Sequence, residues 1–370
     1  MIMAVDAREL CGHRTGVGRY LGALLQEWAT DPAAARHTWR LYAHDTPVVP
    51  EAFRHAVHVV PGAGGTQWEQ WHLARAVAAD APAVLFSPAY TMPCLVRCPR
   101  VVTIHDMSFA AHPEWFGWRE GGRRRVLTRW SARHADRVLT ISEFSRREIL
   151  RWTGCDPTRV VVTPLGVPAI GASGQITAAV TGRHAASILY VGSIFARRHV
   201  DALIAAFLRH VAPQHPTATL DIIGDNRMPA GVPICAELDA APPALRARVR
   251  IRSFVDDVSL QQAYTSASVF AFLSDYEGFG LTPLEAMAHG VVPVVLDTDI
   301  SREVYGAAAR RIAPGDRLVA DLGAALLDLL TSDEARRLLR DEASRTLARY
   351  RWSHTAAVTL RVLEEVARVA

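Results

Sequence analysis

Short apolar runs recur along this chain, and stretches of helical period separate them. The first run is Met1–Asp6. Thr38–Ala43, Ala56–Val60, Ala83–Ser87, Val101–Ile104, Arg137–Ser142 and Val160–Val167 follow. Most are rich in β-branched or aromatic residues and bounded by turn residues, so they read as strands. Many are apolar without alternation, as strands of a parallel sheet covered on both faces must be. A second series begins at Ser187 and stops at Gly192. It continues at Ala218–Asp225, a strand with a turn, at Arg248–Asp257, a strand with a loop, and at Ser268–Leu273 and Val291–Leu296. Helical periodicity places Val17, Tyr20, Leu21, Leu24 and Leu25 on one face, and predicts helices over Gln67–Ala79, from Ser142, from about Val200, over Leu318–Leu330, over Asp333–Arg349 and over Trp352–Ala370. Alternating strand and helix predicts an α/β class with two doubly wound sheets. Residues 1–168 form the first expected domain and 188–350 the second. The small-residue and glycine-rich stretch 169–187 is the expected linker, and 351–370 is a closing helix.

The stretch Ser274–Gly290, SDYEGFGLTPLEAMAHG, lies between two of these strands. It reads as a glycine loop and one short helix. Thr282 is the expected N-cap, Pro283 the first helical residue, Glu285 the capping-box acid and Gly290 the stop. Such a helix start sits at the carboxyl ends of the strands, where ligands bind in open α/β sheets and where free N–H groups favour an anion. Glu277 and Glu285 bracket the loop, and Gly278 and Gly280 let a ligand approach the backbone closely. Two readings stay open from the residues alone. The acids are a solvated loop charge and a cap, or they are hydroxyl-binding carboxylates flanking a phosphate-binding helix end.

Three further places carry candidate chemistry. Gly16 and Gly18 make an expected tight loop after the first strand, without a full G-x-G-x-x-G. His105 and Asp106 stand at the end of the Val101–Ile104 strand, either as reactive groups or as a cap on the next segment. Arg197 and Arg198 precede the helix at Val200, either as a diphosphate clamp or as an exposed pair. Arg125, Arg129, Arg133 and Arg137 recur at helical spacing behind Trp115, Phe116 and Trp118. They form a solvated face backed by Val126, Leu127 and Trp130, or a patch that docks on an anionic membrane or a pyrophosphate-linked lipid. The D-x-D at Asp297–Asp299 follows a buried strand and is not expected to bind metal.

Composition narrows these options. A chain of 370 residues suits two domains. A net charge of +4 does not call for nucleic acid. None of the 41 basic residues is lysine, which excludes a Walker-A lysine and any lysine Schiff base, and so a pyridoxal-phosphate phosphorylase. Arginine must then bind any phosphate. Five scattered cysteines and an N-terminus without signal-peptide features point to a cytoplasmic protein, at the inner membrane face if the basic stripe docks there. No apolar run is long enough to span a bilayer.

EGFGLTPLE resembles the E-x7-E motif of the family-four retaining glycosyltransferases of the GT-B fold. TGVGRY, VVTIHDMSFAAHPEWF, ADRVLTISEFSRREI, VVVTPLGV, SREVYGAAARRIAPGD and TLARYRWSHTAAVTLRVLEEV are similar to other segments of that family, so the likeness spans nearly the whole chain. It implies two Rossmann-like domains facing across a cleft, with the last helix crossing back to the first. It implies transfer of a sugar from a nucleotide-diphosphate sugar, with retention, to a glycan or lipid-linked acceptor of bacterial surface polysaccharide synthesis. Glu277 and the backbone of Gly278, Phe279 and Gly280 would hold the sugar, and Glu285 the ribose. Arg197, Arg198, Leu281 and Thr282 would hold the diphosphate, and Val255, beside Phe254, would border the base. Gly16 and Gly18 would line the donor side, and His105 would touch the sugar. Catalysis would fall to His105, Glu277 and Arg198, with no cofactor and no metal. The family usually has Arg-Lys-Asn or Arg-Lys-Gly where this chain has Arg197-Arg198-His199, and many relatives carry an arginine at Ser193. A two-lobed sugar-binding protein without chemistry is the alternative, and it leaves the convergence of His105, Arg198 and Glu277 unexplained.

Overall fold

The computed structural model describes residues 1–12, 15–167, 186–229 and 231–369. The chain divides into two compact units. One comprises Met1–Gly166 with Arg351–Ala370, the other Val167–Tyr350. Apart from residues 186 and 187, the expected linker 169–187 lies outside the described residues, and Ser187 already opens a strand.

The first unit is built on β1 (Ile2–Asp6), β2 (Thr38–Ala43), β3 (Val57–Val59), β4 (Val84–Ser87), β5 (Arg100–Thr103), β6 (Arg137–Thr140) and β7 (Val160–Val162). Their order is β3-β2-β1-β4-β5-β6-β7, every pair parallel. The second unit holds β8 (Ser187–Val191), β9 (Thr219–Ile223), β10 (Val249–Arg252), β11 (Val269–Phe272), β12 (Val292–Leu296) and β13 (Arg310–Ile312), in the order β10-β9-β8-β11-β12-β13 and again all parallel. Strand order reverses beside β1 in the first sheet and beside β8 in the second. Chain segments leaving β1 and β4, or β8 and β11, therefore diverge to opposite faces and open a crevice at the strand ends.

β7 is shorter than the apolar run Val160–Val167 predicts. Pro164 has no N–H for the ladder, which ends at Val162. A Cβ on Gly166 would lie 2.2 Å from the Trp352 nitrogen, so the backbone there packs directly on the last helix, Trp352–Val369. That helix buries Thr355, Ala356, Thr359, Leu360, Leu363 and Val366, the stripe its period predicts. Trp28 Nε1 donates to the Ala356 carbonyl (3.0 Å) and Thr355 Oγ1 to the Pro164 carbonyl (2.5 Å). The helix is thus a structural part of the first unit, sealed into its core.

One buried charge cluster stands at the end of β1. The Arg8 guanidinium lies 3.1 Å from both Asp6 Oδ2 and Glu69 Oε2, and all three side chains are nearly enclosed. Glu69 sits in a π-helical stretch, Trp68–Leu73, inside the helix expected at Gln67–Ala79. One guanidinium cannot balance two carboxylates, and burial pushes the Asp6 pKa up to about 6 despite Arg8.

Candidate active site

The second unit gathers its candidate groups on the loops after β8 and β11, the two strands beside which order reverses. After β8 the chain turns at Gly192, where a Cβ would come within 2.9 Å of Arg198 Nη1. A 3-10 turn, Ala196–Arg198, then presents the two arginines. Arg198 points inward, under the rings of Phe272 and Phe195, at 5.2 and 5.7 Å from their centroids. Its Nη1 donates to the Ser193 carbonyl (3.1 Å), which also accepts from the Tyr190 hydroxyl (3.0 Å). Its Nε and Nη2 both reach Glu277 Oε1, at 3.0 and 2.9 Å. Burial pulls the Arg198 pKa down, but Glu277 and Tyr190 more than offset it, so the group stays charged. Arg197 instead lies over Phe195, 4.1 Å from the ring centre.

Glu277 Oε1 takes a third bond from Ser274 Oγ (2.8 Å), while no hydrogen bond from the described residues ends on Oε2. The carboxylate is therefore fixed through one oxygen and open through the other. Beyond it, Gly278 and Phe279 are buried, and Gly280 takes a left-handed turn with φ +86°. A Cβ on Gly280 would sit 2.1 Å from the Tyr305 hydroxyl, which donates to the Gly280 carbonyl (2.8 Å). Only glycine fits both the angle and the space.

Helix Leu281–Ala288 starts at this turn, two residues earlier than the capping pattern predicts. Gly280, not Thr282, is the N-cap, and no side chain caps the first amides. Thr282 Oγ1 is buried without a hydrogen-bond partner. The Tyr305 clamp on Gly280 overrides the local Thr282 signal. Glu285 does not fold back as a capping-box acid either. Its Oε2 accepts from the Tyr264 hydroxyl (3.0 Å), and the Tyr264 ring stacks on His289 at 4.9 Å. His289 Nδ1 donates to the Glu285 carbonyl (2.8 Å), and Gly290 follows the helix at φ +70°. Tyr264 comes from the helix Asp257–Ser266, which follows the loop carrying exposed Phe254 and half-buried Val255. Asp256 caps that helix by accepting from the Ser259 amide (2.7 Å). The helix thus connects the Val255 loop to Glu285. Tyr264, Tyr305, Ser274 and Tyr190 escaped the sequence reading because each is an ordinary core or turn residue until the fold brings it to the site.

In the first unit, His105 lies beyond the end of β5 and is 7% exposed. Its Nε2 bonds the Pro88 carbonyl (2.8 Å), so Nε2 carries the proton and Nδ1 is left as an acceptor. The ring meets Tyr20 and Tyr90 edge-on, at 5.0 and 5.5 Å. Burial lowers its pKa against the Pro88 bond, so the imidazole is neutral near pH 7. Asp106 holds Tyr90 by its hydroxyl (2.8 Å) and caps Ser108 N (2.8 Å), which makes it a local support. Gly16 and Gly18 do not form a loop. They open the helix Gly16–Trp28, with Thr15 accepting from Gly18 N (3.1 Å). A Cβ on Gly18 would meet the Glu9 carbonyl at 2.4 Å, so this glycine serves backbone packing.

The basic stripe falls on helix Trp118–His134, with Arg137 outside it in β6. Its buried side is Gly121, Thr128, Ser131 and Ala132. Val126, expected inside, is 67% exposed because it lies well round the helix from the buried Gly121, Thr128 and Ala132 line. Arg133 is spent on the Thr153 carbonyl (2.7 Å), whereas Arg123, Arg125 and Arg129 are exposed with no acidic partner among the described residues. At the D-x-D, Asp297 receives Arg302 (2.8 and 2.9 Å) and Asp299 lies 3.7 Å from the same arginine. Among the described residues there is no cluster of three or more His, Cys, Asp or Glu able to hold a metal, and no helix long and apolar enough to cross a membrane.

The Gly280 turn makes a sharp test. Gly280→Ala adds both a disfavoured backbone angle and an overlap with the Tyr305 hydroxyl, and should cost roughly 2–4 kcal/mol in thermal unfolding. Tyr305→Phe in the same chain should recover part of that loss by removing the overlapping oxygen. A Gly280→Ala protein as stable as the parent would contradict the clamp.

Comparison with known proteins bears on both units. A Glycosyltransferase Family 4 model matches residues 14–169, and a Glycosyl transferases group 1 model matches 185–332. The O-antigen chain mannosyltransferase B of Escherichia coli is 26% identical over 70% of this chain and 68% of its own. A phosphatidyl-myo-inositol mannosyltransferase of Mycolicibacterium smegmatis is 29% identical over 62% of this chain, which spans only 57% of that enzyme's length. The structure of Anabaena HepE in complex with UDP-glucose superimposes with a TM-score of 0.69 at 16% identity, over 100% of this chain and 98% of that one, a likeness of fold. With one family model on each unit and two parallel α/β sheets beneath them, this chain belongs to the family-four, group 1 glycosyltransferases and has the GT-B fold.

Proposed function

We propose that the protein moves a hexose from a nucleotide-diphosphate sugar to a glycan or lipid-linked acceptor, with retention of configuration and without a metal ion. The observation that carries this reading is the join of Arg198, Glu277 and the uncapped helix at Gly280. A charged guanidinium, unclaimed first-turn amides and the unpartnered Thr282 hydroxyl suit a diphosphate, and they stabilise the charge that grows on it as the sugar leaves. Glu277 Oε2 accepts from a sugar hydroxyl. Glu285, oriented by Tyr264, accepts from the ribose, and the Val255 loop borders the base. His105 is assigned to the sugar by family likeness, and its Nδ1 suits a hydroxyl donor. Mannose is the first sugar to test, because two relatives are named mannosyltransferases. Arginine and amides take the place of a cation, so turnover should persist in excess EDTA.

We also assign membrane docking at the cytoplasmic face to helix Trp118–His134. Trp118, Arg125, Val126 and Arg129 share one face of that helix. Trp118 and Val126 are exposed at 78% and 67%, beside Arg125 and Arg129, which have no acidic partner among the described residues.

Three measurements test these readings. Glu277→Ala should lower sugar transfer by about 10²-fold or more, as lost transition-state contacts do. Nucleotide binding should survive, since the change releases the Arg198 guanidinium; intact turnover would refute the assignment. Arg198→Ala should weaken nucleoside diphosphate binding about tenfold or more while leaving nucleoside binding near its starting value. Equal losses for the two ligands would contradict a phosphate role. Arg125→Gln with Arg129→Gln should remove sedimentation with anionic phospholipid vesicles at low salt, and unchanged sedimentation would refute docking through this face.

A further inference from the structure

His199 stands between the arginine turn and the helix Val200–Ala206, with φ +46° and ψ +40°. Among L-residues this left-handed region is sparsely used, so something must hold the residue there. The imidazole Nε2 lies 2.8 Å from Asp275 Oδ1, on the loop after β11. Asp275 is bound a second time, through its own amide to the Arg197 carbonyl (2.9 Å). Arg198 then reaches Glu277 at 2.9 Å. Three consecutive residues, 197, 198 and 199, are therefore each tied to the loop that carries Glu277. The first tie is main chain and the second is the ion pair already described. The third is the outermost, with about a third of each side chain exposed to solvent.

We propose that His199 is a positioning residue for the donor site: its hydrogen bond to Asp275 holds the Arg197–Arg198 turn against the Glu277 loop, and protonation of the ring tightens that hold. This rests on the reading of the arginine turn as the diphosphate site. The charged groups that act on the ring are Asp275 on the facing loop and Asp201 in the helix that follows; Arg197 and Arg198 precede it in its own turn and point to Phe195 and Glu277. The bond to Asp275 raises the His199 pKa above 6.5, outweighing burial, and Asp201 adds to it. A raised histidine pKa means that the interaction is complete below pH 6.5 and fades as pH rises through the folded-state value. A bound diphosphate adds negative charge beside the turn and favours the imidazolium further. By reciprocity, protonation of His199 must favour the diphosphate.

The test is the affinity of GDP and of UDP, measured by calorimetry from pH 5.5 to 8.5, for the parent, His199→Asn, His199→Gly and Asp275→Asn. Asn and Gly both accept the left-handed backbone, so neither change forces the turn open. Taking each variant against the parent at the same pH removes the titration of the nucleotide itself. The parent should bind the better-bound nucleotide about fivefold more tightly than each variant below pH 6.5, as loss of a charge-assisted hydrogen bond predicts. That ratio should fall toward one by pH 8.5, and Asp275→Asn should trace the same curve. A ratio that does not change with pH, or variants that bind like the parent throughout, would overturn the proposal while leaving the donor site intact. Failure of the parent to bind either nucleotide would overturn the donor reading, and this inference with it.

Discussion

The guanidinium of Arg198 has to remain charged at a place where its side chain is 15% exposed. Leaving it unpaired there would be costly, so the loop after β11 must bring Glu277 to it. Much of the second unit serves that meeting. Gly192 has no Cβ so that Nη1 can pass, Phe272 and Phe195 wall the planar group, and the Ser193 carbonyl takes the remaining edge. A lysine ammonium lacks the fork that reaches one carboxylate oxygen and one carbonyl at once, so the lysine-free composition fits the geometry. The arrangement also ties the two loops to each other. On the reading proposed above, a diphosphate would share a cation that is already oriented, and little ordering would remain to be done on binding.

The strands were legible because burial on both faces leaves an unbroken apolar run, as in the wholly buried β11. Where the prediction overran, at β7, a proline already in the run explains the stop. The Glu277–Glu285 region was legible as a loop and helix, but not in its start. Local preference favours a Thr282 cap, and only the fold reveals that Tyr305, 25 residues away, requires Gly280 to turn left-handed first. The supports of the acids were illegible for the same reason. Tyr264 meets Glu285 across 21 residues, and no local pattern marks a core tyrosine as a partner. Gly16 and Gly18 show the opposite case. A tight loop was expected where both residues open a helix and Gly18 packs on the Glu9 backbone.

The two units handle buried charge differently. In the second, one arginine meets one carboxylate oxygen and keeps its charge. In the first, Arg8 is shared by Asp6 and Glu69, and Asp6 moves toward neutrality. His105 follows the same rule: enclosed by tyrosine rings and bonded to a carbonyl, it gives up its proton and keeps one nitrogen as an acceptor. Burial thus favours the neutral forms of Asp6 and His105 in the first unit, whereas a paired acid sustains the Arg198 cation between its phenylalanine walls in the second.

The last helix carries a consequence for biogenesis. The core of the first unit is closed by Thr355, Ala356 and Leu363, so its seven strands emerge from the ribosome long before the segment that seals them. The second unit, contiguous from Val167 to Tyr350, is made between that sheet and the helix that covers it. A chain cut before Arg351 would therefore keep every residue of the second unit and leave the surface beside Trp28 uncovered.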